Sequence, residues 1–189
     1  MRTLVCLLEE PSAQEMLQGI LAGILAEDVS VHYIPFEGKQ DLEKQLIKRM
    51  KFWQKPDSVF LVMRDKDSGD CIAIKQALLD KVTEADRQDC TIIRIACHEL
   101  ESFYLGDLIA IEKGLELKGL SRHQHTKKFR NPDNLANASE ELSKLSKKSY
   151  QKIAGSRAIA PYLKTDGSNK SHSFNVLLDG LRKLSVVTL

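Results

Sequence analysis

Four short apolar runs, separated by stretches of helical periodicity, constrain the fold of this chain more than any other feature of its sequence. The runs are Thr3–Leu8, Val29–Phe36, Ser58–Met63 and Thr91–Ala96. Continuous apolar runs of this length are typical of strands that helices cover on both faces. Strands that alternate with helices form βαβ units, so the sequence predicts an α/β fold with a mainly parallel sheet of about four strands flanked by helices.

Amphipathic stretches between and after the runs predict the helices of this core. One begins near Ser12, a second covers Asp41–Trp53, and a longer one extends from about Glu99 to Leu117. Between the second helix and the longer one, the spacing of four apolar residues predicts a further helix. These residues are Ile72, Leu78, Leu79 and Val82.

The sequence changes character after residue 120. Helices are predicted at Ser139–Gln151 and Ser171–Lys183, and the Gly, Ser and Pro residues of Gly155–Thr165 favour a connection between them. We expect one domain, in which residues 1–120 form the α/β core and residues 121–189 form a mainly helical C-terminal extension packed on it.

The charge is divided in the same way. Residues 1–120 contain 15 Lys and Arg against 21 Asp and Glu, whereas residues 121–189 contain 13 against 5. An acidic core beside a basic extension is typical of a metal centre next to a surface for polyanions. A solvated lysine-rich face is the alternative, and composition does not separate the two.

Several features predict a cytoplasmic protein. No apolar stretch approaches 18 residues, so no membrane span is expected, and the N-terminus lacks the features of a signal peptide. The four cysteines show no C-x-x-C spacing, which favours reduced thiols over a zinc or redox motif.

Carboxylates follow three of the predicted strands. Glu9 and Glu10 follow the first, Asp65-Lys66-Asp67 follows the third, and Glu99-Leu100-Glu101 comes shortly after the fourth. Ligands of open parallel sheets bind outside the carboxyl ends of the strands, where these side chains should meet. Several carboxylates at one edge repel each other unless a cation neutralises them, and oxygen ligands suit Mg²⁺ or Mn²⁺.

The carboxylates have different expected roles. Asp65 and Asp67 alternate and are expected to point to the same side as metal ligands, while Glu9 serves as a ligand or as a general acid or base. Glu10 and Asp70 are more readily helix caps. Glu99 and Glu101 are two residues apart, so one is expected to be a ligand and the other a favourable charge at a helix N-terminus.

Two levels of family resemblance rest on these residues. The turn LLEEPSAQE (Leu7–Glu15) and the run LVMRDKDSGD (Leu61–Asp70) resemble the glutamate and Asp-x-Asp motifs of the Toprim-like superfamily. From about Leu4 to Arg182, the chain resembles a bacterial family called domain of unknown function 4276. The segments that carry this second resemblance are FEGKQDLEK, RDKDSGDC, RIACHELESFYLGD, KKFRNPD and YQKIAGSRAIAP.

The resemblance implies a Toprim-like, Rossmann-like fold and a Mg²⁺-dependent acidic site. Glu9 matches the glutamate of the first motif, Asp65 and Asp67 match the aspartate pair, and Glu99 and Glu101 resemble an additional acidic motif of nuclease-like members. Some of those members act with ATPases in defence against phage. Glu10 stands where the motif usually has Gly, which leaves the number of metal ions open.

Basic residues of the extension are the expected contacts to nucleic acid. Phosphate-binding cations are predicted at Lys127, Lys128, Arg130, Lys152 and Arg157. For Arg157 the alternative is a structural ion pair with an acid, and Phe129 is more readily a core residue than a base-stacking one.

Three functional hypotheses follow. The first is a metal-dependent nuclease that hydrolyses phosphodiester bonds of DNA or RNA with Glu9, Asp65, Asp67 and Glu101 as catalytic residues. The second is an effector subunit that works with a partner ATPase and has little activity alone. The third, a Rossmann-like phosphotransfer domain, is disfavoured because glutamates stand where that class places an aspartate.

Overall fold

A parallel four-stranded sheet forms the centre of the protein, in a computed structural model that describes residues 2–186. The strands are β1 (Thr3–Leu8), β2 (Ser30–Pro35), β3 (Ser58–Asp65) and β4 (Thr91–Ala96). Their order is β2-β1-β3-β4, and every neighbouring pair is parallel. The predicted sheet is therefore confirmed, and β3 continues to Asp65, beyond the predicted end at Met63.

Eight α-helices accompany the strands within the described part of the chain. They are α1 (Pro11–Leu21), α2 (Lys39–Lys51), α3 (Cys71–Glu84), α4 (Glu101–Leu105), α5 (Leu108–Gly114), α6 (Ala138–Leu145), α7 (Lys152–Ile159) and α8 (His172–Val186). Short 3₁₀ turns link several of them. None of the helices in residues 2–186 has the length and apolar character needed to cross a bilayer.

Alternate side chains of the strands bury two separate cores. Val5 and Leu7 of β1 face a cluster that α2 and α3 complete with residues such as Leu42 and Leu78. Leu4, Cys6 and Leu8 face the opposite cluster, to which α1, α4, α5, α7 and α8 contribute. The sheet is therefore covered on both faces, which explains why the strands read as continuous apolar runs.

The extension shares the larger core with the strands. Phe129 is buried there, as the core interpretation of this residue predicted. Four residues of α8 lie in the same cluster as residues of β1 and β3, and α8 contacts β4. These four are Phe174, Leu177, Leu178 and Leu181.

The prediction of one helix from Glu99 to Leu117 is wrong, because the chain breaks at Gly106-Asp107. The Asp107 carboxylate accepts a hydrogen bond from the Ala110 amide and caps the N-terminus of α5. A Cβ at Gly106 would lie 1.9 Å from Asn169 Oδ1, so the extension comes close at this break. The break produces the separate helices α4 and α5.

Other boundaries also differ from prediction. The helix expected to reach Gln151 ends at Leu145, and Lys147 and Lys148 follow in the left-handed conformation. The expected connection at Gly155–Thr165 instead lies partly in α7. In α3, Leu78 and Val82 are buried, whereas Ile72 is 80% exposed and Leu79 39% exposed.

Candidate functional site

The order of the strands defines where a ligand is expected. The connection through α1 leads from β1 to β2 on one side, whereas β3 and β4 lie on the other side of β1. The topological switch point is therefore between the carboxyl ends of β1 and β3. Glu9 follows β1 directly, and Asp65 is the last residue of β3.

Glu9 and Asp65 are connected across this switch point. The Asp65 amide donates a hydrogen bond of 2.8 Å to Glu9 Oε2, so the first strand end holds the third. The Leu100 amide donates a bond of 3.1 Å to Asp65 Oδ2 and brings in the segment that follows β4. Three chain segments thus converge on one pair of carboxylates.

Glu101 is the first residue of α4 and only 1% exposed. The Tyr150 hydroxyl donates a hydrogen bond of 3.0 Å to its Oε1. Its Oε2 atom is buried and has no hydrogen-bond partner among the residues that the structure describes. A buried carboxylate oxygen without a donor is costly unless a ligand satisfies it.

The extension supplies a cation to these acids. Lys152, the first residue of α7, donates a hydrogen bond of 3.2 Å to Glu10 Oε2. Glu10 also accepts a hydrogen bond from the Ser12 hydroxyl. We call Glu9, Glu10, Asp65 and Glu101 the carboxylate cluster.

Burial and mutual repulsion raise the pKa of three members of the carboxylate cluster. For Asp65, burial is the main cause, and the charges of Glu9, Glu10 and Glu101 add to it. Burial also raises the pKa of Glu9 and of Glu101, against the lowering effects of the Asp65 amide on Glu9 and of Lys152 on Glu101. The ionised cluster therefore favours a bound cation.

The carboxylates of the cluster also shift the pKa of Lys152. Burial of its ammonium works against protonation, but Glu10, Glu101 and Asp65 outweigh this and raise the pKa of Lys152. The side chain is therefore a stable cation beside the carboxylate cluster. The prediction that Lys152 contacts nucleic acid remains untested, but the structure places it at the acidic site.

Asp67 makes its contacts with a different element from Asp65. Its carboxylate accepts a bond of 2.7 Å from Lys39 at the start of α2, and Arg64 Nη2 lies 3.9 Å away. Its charge nonetheless contributes to raising the pKa of Glu9. Asp67 therefore borders the carboxylate cluster, although Asp65 and Asp67 contact separate parts of the protein.

The backbone at Asp67 is fixed by His98. Both residues adopt a left-handed conformation, with φ of 52° and 62°. The Asp67 amide donates to the His98 carbonyl at 2.7 Å, and His98 Nδ1 lies 3.0 Å from the Asp67 carbonyl oxygen. Asp and His tolerate this conformation better than most residues, so the pair joins the loops after β3 and β4 at small cost.

The remaining predicted residues lie elsewhere. Glu99 Oε2 accepts a hydrogen bond of 2.7 Å from the Ser139 amide near the start of α6. Arg157 forms a bidentate ion pair of 2.7 and 2.9 Å with Glu15 on α1. The alternative interpretation of Arg157, a structural ion pair with an acid, therefore describes its contacts. Lys128 pairs with Glu141, whereas Lys127 and Arg130 line a cavity of about 540 Å³.

Several contributors to the site were not identified from the sequence. Arg64 is 6% exposed, and its guanidinium pairs with Glu43, donates to the Asp65 carbonyl at 3.0 Å and lies near Glu9. Its place directly before Asp65 was the available signal. Tyr150 lies 49 residues from Glu101 and left no local signal.

The donor chemistry of the carboxylate cluster fits a hard divalent cation. Its potential metal ligands are all carboxylate oxygens, and Glu101 Oε2 is buried without a hydrogen-bond partner among the described residues. Within residues 2–186, however, no group of three or more His, Cys, Asp and Glu side chains is arranged to hold a metal ion as it stands. Binding would require these side chains to rearrange around the cation.

Comparison with known proteins relates the chain to a family. A family model described as "Domain of unknown function (DUF4276)" matches residues 8–182. No curated protein and no solved structure matches the chain.

Proposed function

The chain belongs to the family described as Domain of unknown function (DUF4276), and from this premise and the geometry of the site we propose that it is a divalent-metal-dependent phosphodiesterase acting on DNA or RNA. The resemblance of its acidic motifs to those of Toprim-like nucleases supports this proposal. Mg²⁺ or Mn²⁺ is the proposed cofactor.

One observation carries the proposal. Glu9, Asp65 and Glu101 come from three separate chain segments and meet at the switch point of the sheet, where burial raises the pKa of each. Structural carboxylates are normally satisfied by donors, but Glu101 Oε2 has none among residues 2–186. Such an arrangement is typical of a functional site rather than of a stabilising one.

The residues have distinct proposed roles. Glu9, Asp65 and Glu101 would hold the cation, with Asp67 at its border, and a bound cation would supply positioning of a phosphodiester and activation of water. The Asp65 amide orients Glu9, whose raised pKa suits its carboxylate for accepting a proton from the attacking water. Lys152 places a positive charge where a phosphate would approach.

Basic residues of the extension support a nucleic-acid substrate. Lys127 and Arg130 line their cavity together with Asn131 and Asn134, and neither cation has an ion-pair partner in the described part of the chain. Free cations on a surface track a phosphate backbone. Arg157 contributes less to this surface, because Glu15 already neutralises it.

The test is a cleavage assay with supercoiled plasmid, single-stranded DNA and tRNA, each with Mg²⁺, Mn²⁺ or EDTA. The variants are Asp65→Asn and Glu101→Gln, with Glu27→Gln, an exposed residue, as the matched control. We expect metal-dependent cleavage that each site variant lowers by about 100-fold or more, because a metal ligand contributes several kcal/mol.

Two outcomes would reject the proposal. One is the absence of cleavage with either metal on all three substrates. The other is cleavage that persists at the wild-type rate in Asp65→Asn, because contaminating nuclease would produce that result.

A further inference from the structure

A second, smaller cavity lies beside Asp67, on the side facing α2. Its volume is about 330 Å³, and its walls come from the start of α2, the end of β3 and the loop after β3. Three cations line it: Lys39, Arg64 and Lys66. Two acids, Glu43 and Asp67, line it as well.

The cations of this cavity are not all neutralised. Arg64 pairs with Glu43, and Lys39 pairs with Asp67 at 2.7 Å. Arg64 also lies 3.9 Å from Glu9 and from Asp67. Lys66 has no ion-pair partner among residues 2–186, so the side chains that line the cavity carry one more positive than negative charge. Because Arg64 is 6% exposed, its guanidinium is held in place before any ligand arrives.

Backbone amides near the cavity are hydrogen-bond donors and, like the cations, favour an anion. Helix α2 has 13 residues, and no side chain caps its N-terminus at Gly38. Gly38 has φ of 103°, and a Cβ there would meet nothing within 4 Å, so the turn leaves open space in front of the helix. Ser68 and Gly69 form the opposite wall with little side-chain bulk.

We propose that this cavity binds a phosphate group of the substrate strand, next to the phosphodiester held at the carboxylate cluster. A guanidinium and two ammonium groups on two chain segments match the oxygens of a phosphate, which accept bonds from several directions. Asp67 lines the cavity and its charge acts on Glu9 of the carboxylate cluster, so a neighbouring phosphate of one strand fits the arrangement. The identity of the ligand rests on the proposed function, whereas anion binding does not.

The test is a titration with inorganic phosphate in EDTA at constant ionic strength, followed through the backbone amide resonances of the whole chain. We expect saturable shifts that are largest at Gln40, Ser68 and Gly69. Lys66→Gln and Lys39→Gln should each weaken binding by about 5-fold or more, because each removes a charge-assisted contact. Lys48→Gln, an exposed lysine more than two turns further along α2, is the control and should bind as the wild type does.

A second arm identifies the source of the phosphate. A single-stranded oligonucleotide with a 5′-hydroxyl end offers only internal phosphodiesters, and it should shift the same amides. Shifts with inorganic phosphate alone would overturn the assignment to a substrate strand. Absence of saturable phosphate binding, or equal binding by Lys66→Gln and the wild type, would overturn the site. Because no cleavage is needed, phosphate binding without nuclease activity would reject only the proposed function.

Discussion

At the scale of single residues, Asp65 has two opposing effects. Its position at the end of β3 places it between Glu9 and the Leu100 amide, which is useful for binding a cation. The same position buries its charge beside Glu9, Glu10 and Glu101 and raises its pKa. The ionised form therefore reduces the stability of the folded protein whenever no cation is present.

Replacing Asp65 with Asn should make the metal-free protein more stable at neutral pH. Asn keeps an acceptor for the Leu100 amide but carries no charge. In EDTA at pH 7 we expect a midpoint of thermal unfolding a few degrees higher, at about 2–4 °C for each kcal/mol in a chain of this size. Wild-type protein should gain stability on addition of Mg²⁺, and the variant should gain much less.

The stability difference between Asp65→Asn and the wild type should depend on pH, because the pKa of Asp65 is raised in the folded protein. A raised pKa in the folded state means that the folded protein binds the proton more tightly, so stability falls as pH rises above the unfolded-state value of about 3.9. The advantage of Asp65→Asn should therefore be largest near neutrality and disappear in acid. A stability difference between Asp65→Asn and the wild type that stays constant from acid to neutral pH would contradict the electrostatic explanation.

The sequence predicted the location of a residue where its position on a strand determines its environment. Glu9 and Asp65 lie together, as expected of residues at the ends of neighbouring parallel strands, and their functional role stays a prediction. Glu99 and Glu101 were left open, since their roles depend on where α4 begins and on Ser139, 40 residues away. The geometry separates them: Glu101 belongs to the carboxylate cluster, and Glu99 accepts a hydrogen bond from the backbone near the start of α6.

At the scale of elements, α7 departs most clearly from prediction. Gly155, Ser156 and Pro161 are local signals for a connection, yet α7 forms and packs on α1 and α5. The reason is tertiary contact, which overrides weak local propensity. The strands were predicted more accurately because their burial on both faces leaves a continuous apolar signal.

Glycines allow α7 to approach its neighbours closely. A Cβ at Gly114 of α5 would lie 2.5 Å from the Ala158 carbonyl oxygen and 2.6 Å from Ile159 Cα. A Cβ at Gly19 of α1 would lie 2.5 Å from Ala160 Cβ. Backbone atoms at Ala158 and Ile159 cannot move aside as a flexible side chain does.

Gly114→Ala should consequently destabilise the protein. We expect a loss of about 1–3 kcal/mol in the free energy of unfolding, measured by denaturant titration, as α7 is pushed away from α5. The proposed nuclease activity should decrease as well, because α7 carries Lys152. Gly23→Ala is the control: its nearest contact would be 3.8 Å, at the Ile20 carbonyl, so it should stay near wild type. Unchanged stability of Gly114→Ala would refute the close-packing argument.

At the scale of the whole molecule, the charge division takes a specific form. Four acidic residues of 1–120 form the carboxylate cluster at the sheet edge, while the basic residues of 121–189 divide between internal ion pairs and free cations. Lys152 and Arg157 pair with Glu10 and Glu15, whereas Lys127 and Arg130 remain unpaired in the described part of the chain. Composition alone did not distinguish these groups, because pairing depends on how the extension folds back.

Lys127→Gln and Arg130→Gln should change the salt dependence of nucleic-acid binding. Each removes one expected phosphate contact, so the slope of log affinity against log salt concentration should decrease by about 1 in magnitude. Fluorescence anisotropy with a labelled oligonucleotide at several salt concentrations measures this slope. Lys118→Gln, an exposed lysine outside the extension, should leave the slope unchanged. Equal slopes for all three variants and wild type would place the binding surface elsewhere.

The fold-back of the extension also determines the order in which the site is completed during synthesis. A ribosome releases Glu9, Asp65 and Glu101 well before Tyr150 and Lys152, the residues that orient and balance them. The apolar residues of α8 that close the larger core emerge later still. A nascent chain therefore exposes repelling acids without their partners, and the carboxylate cluster is completed only after α7 has been synthesised.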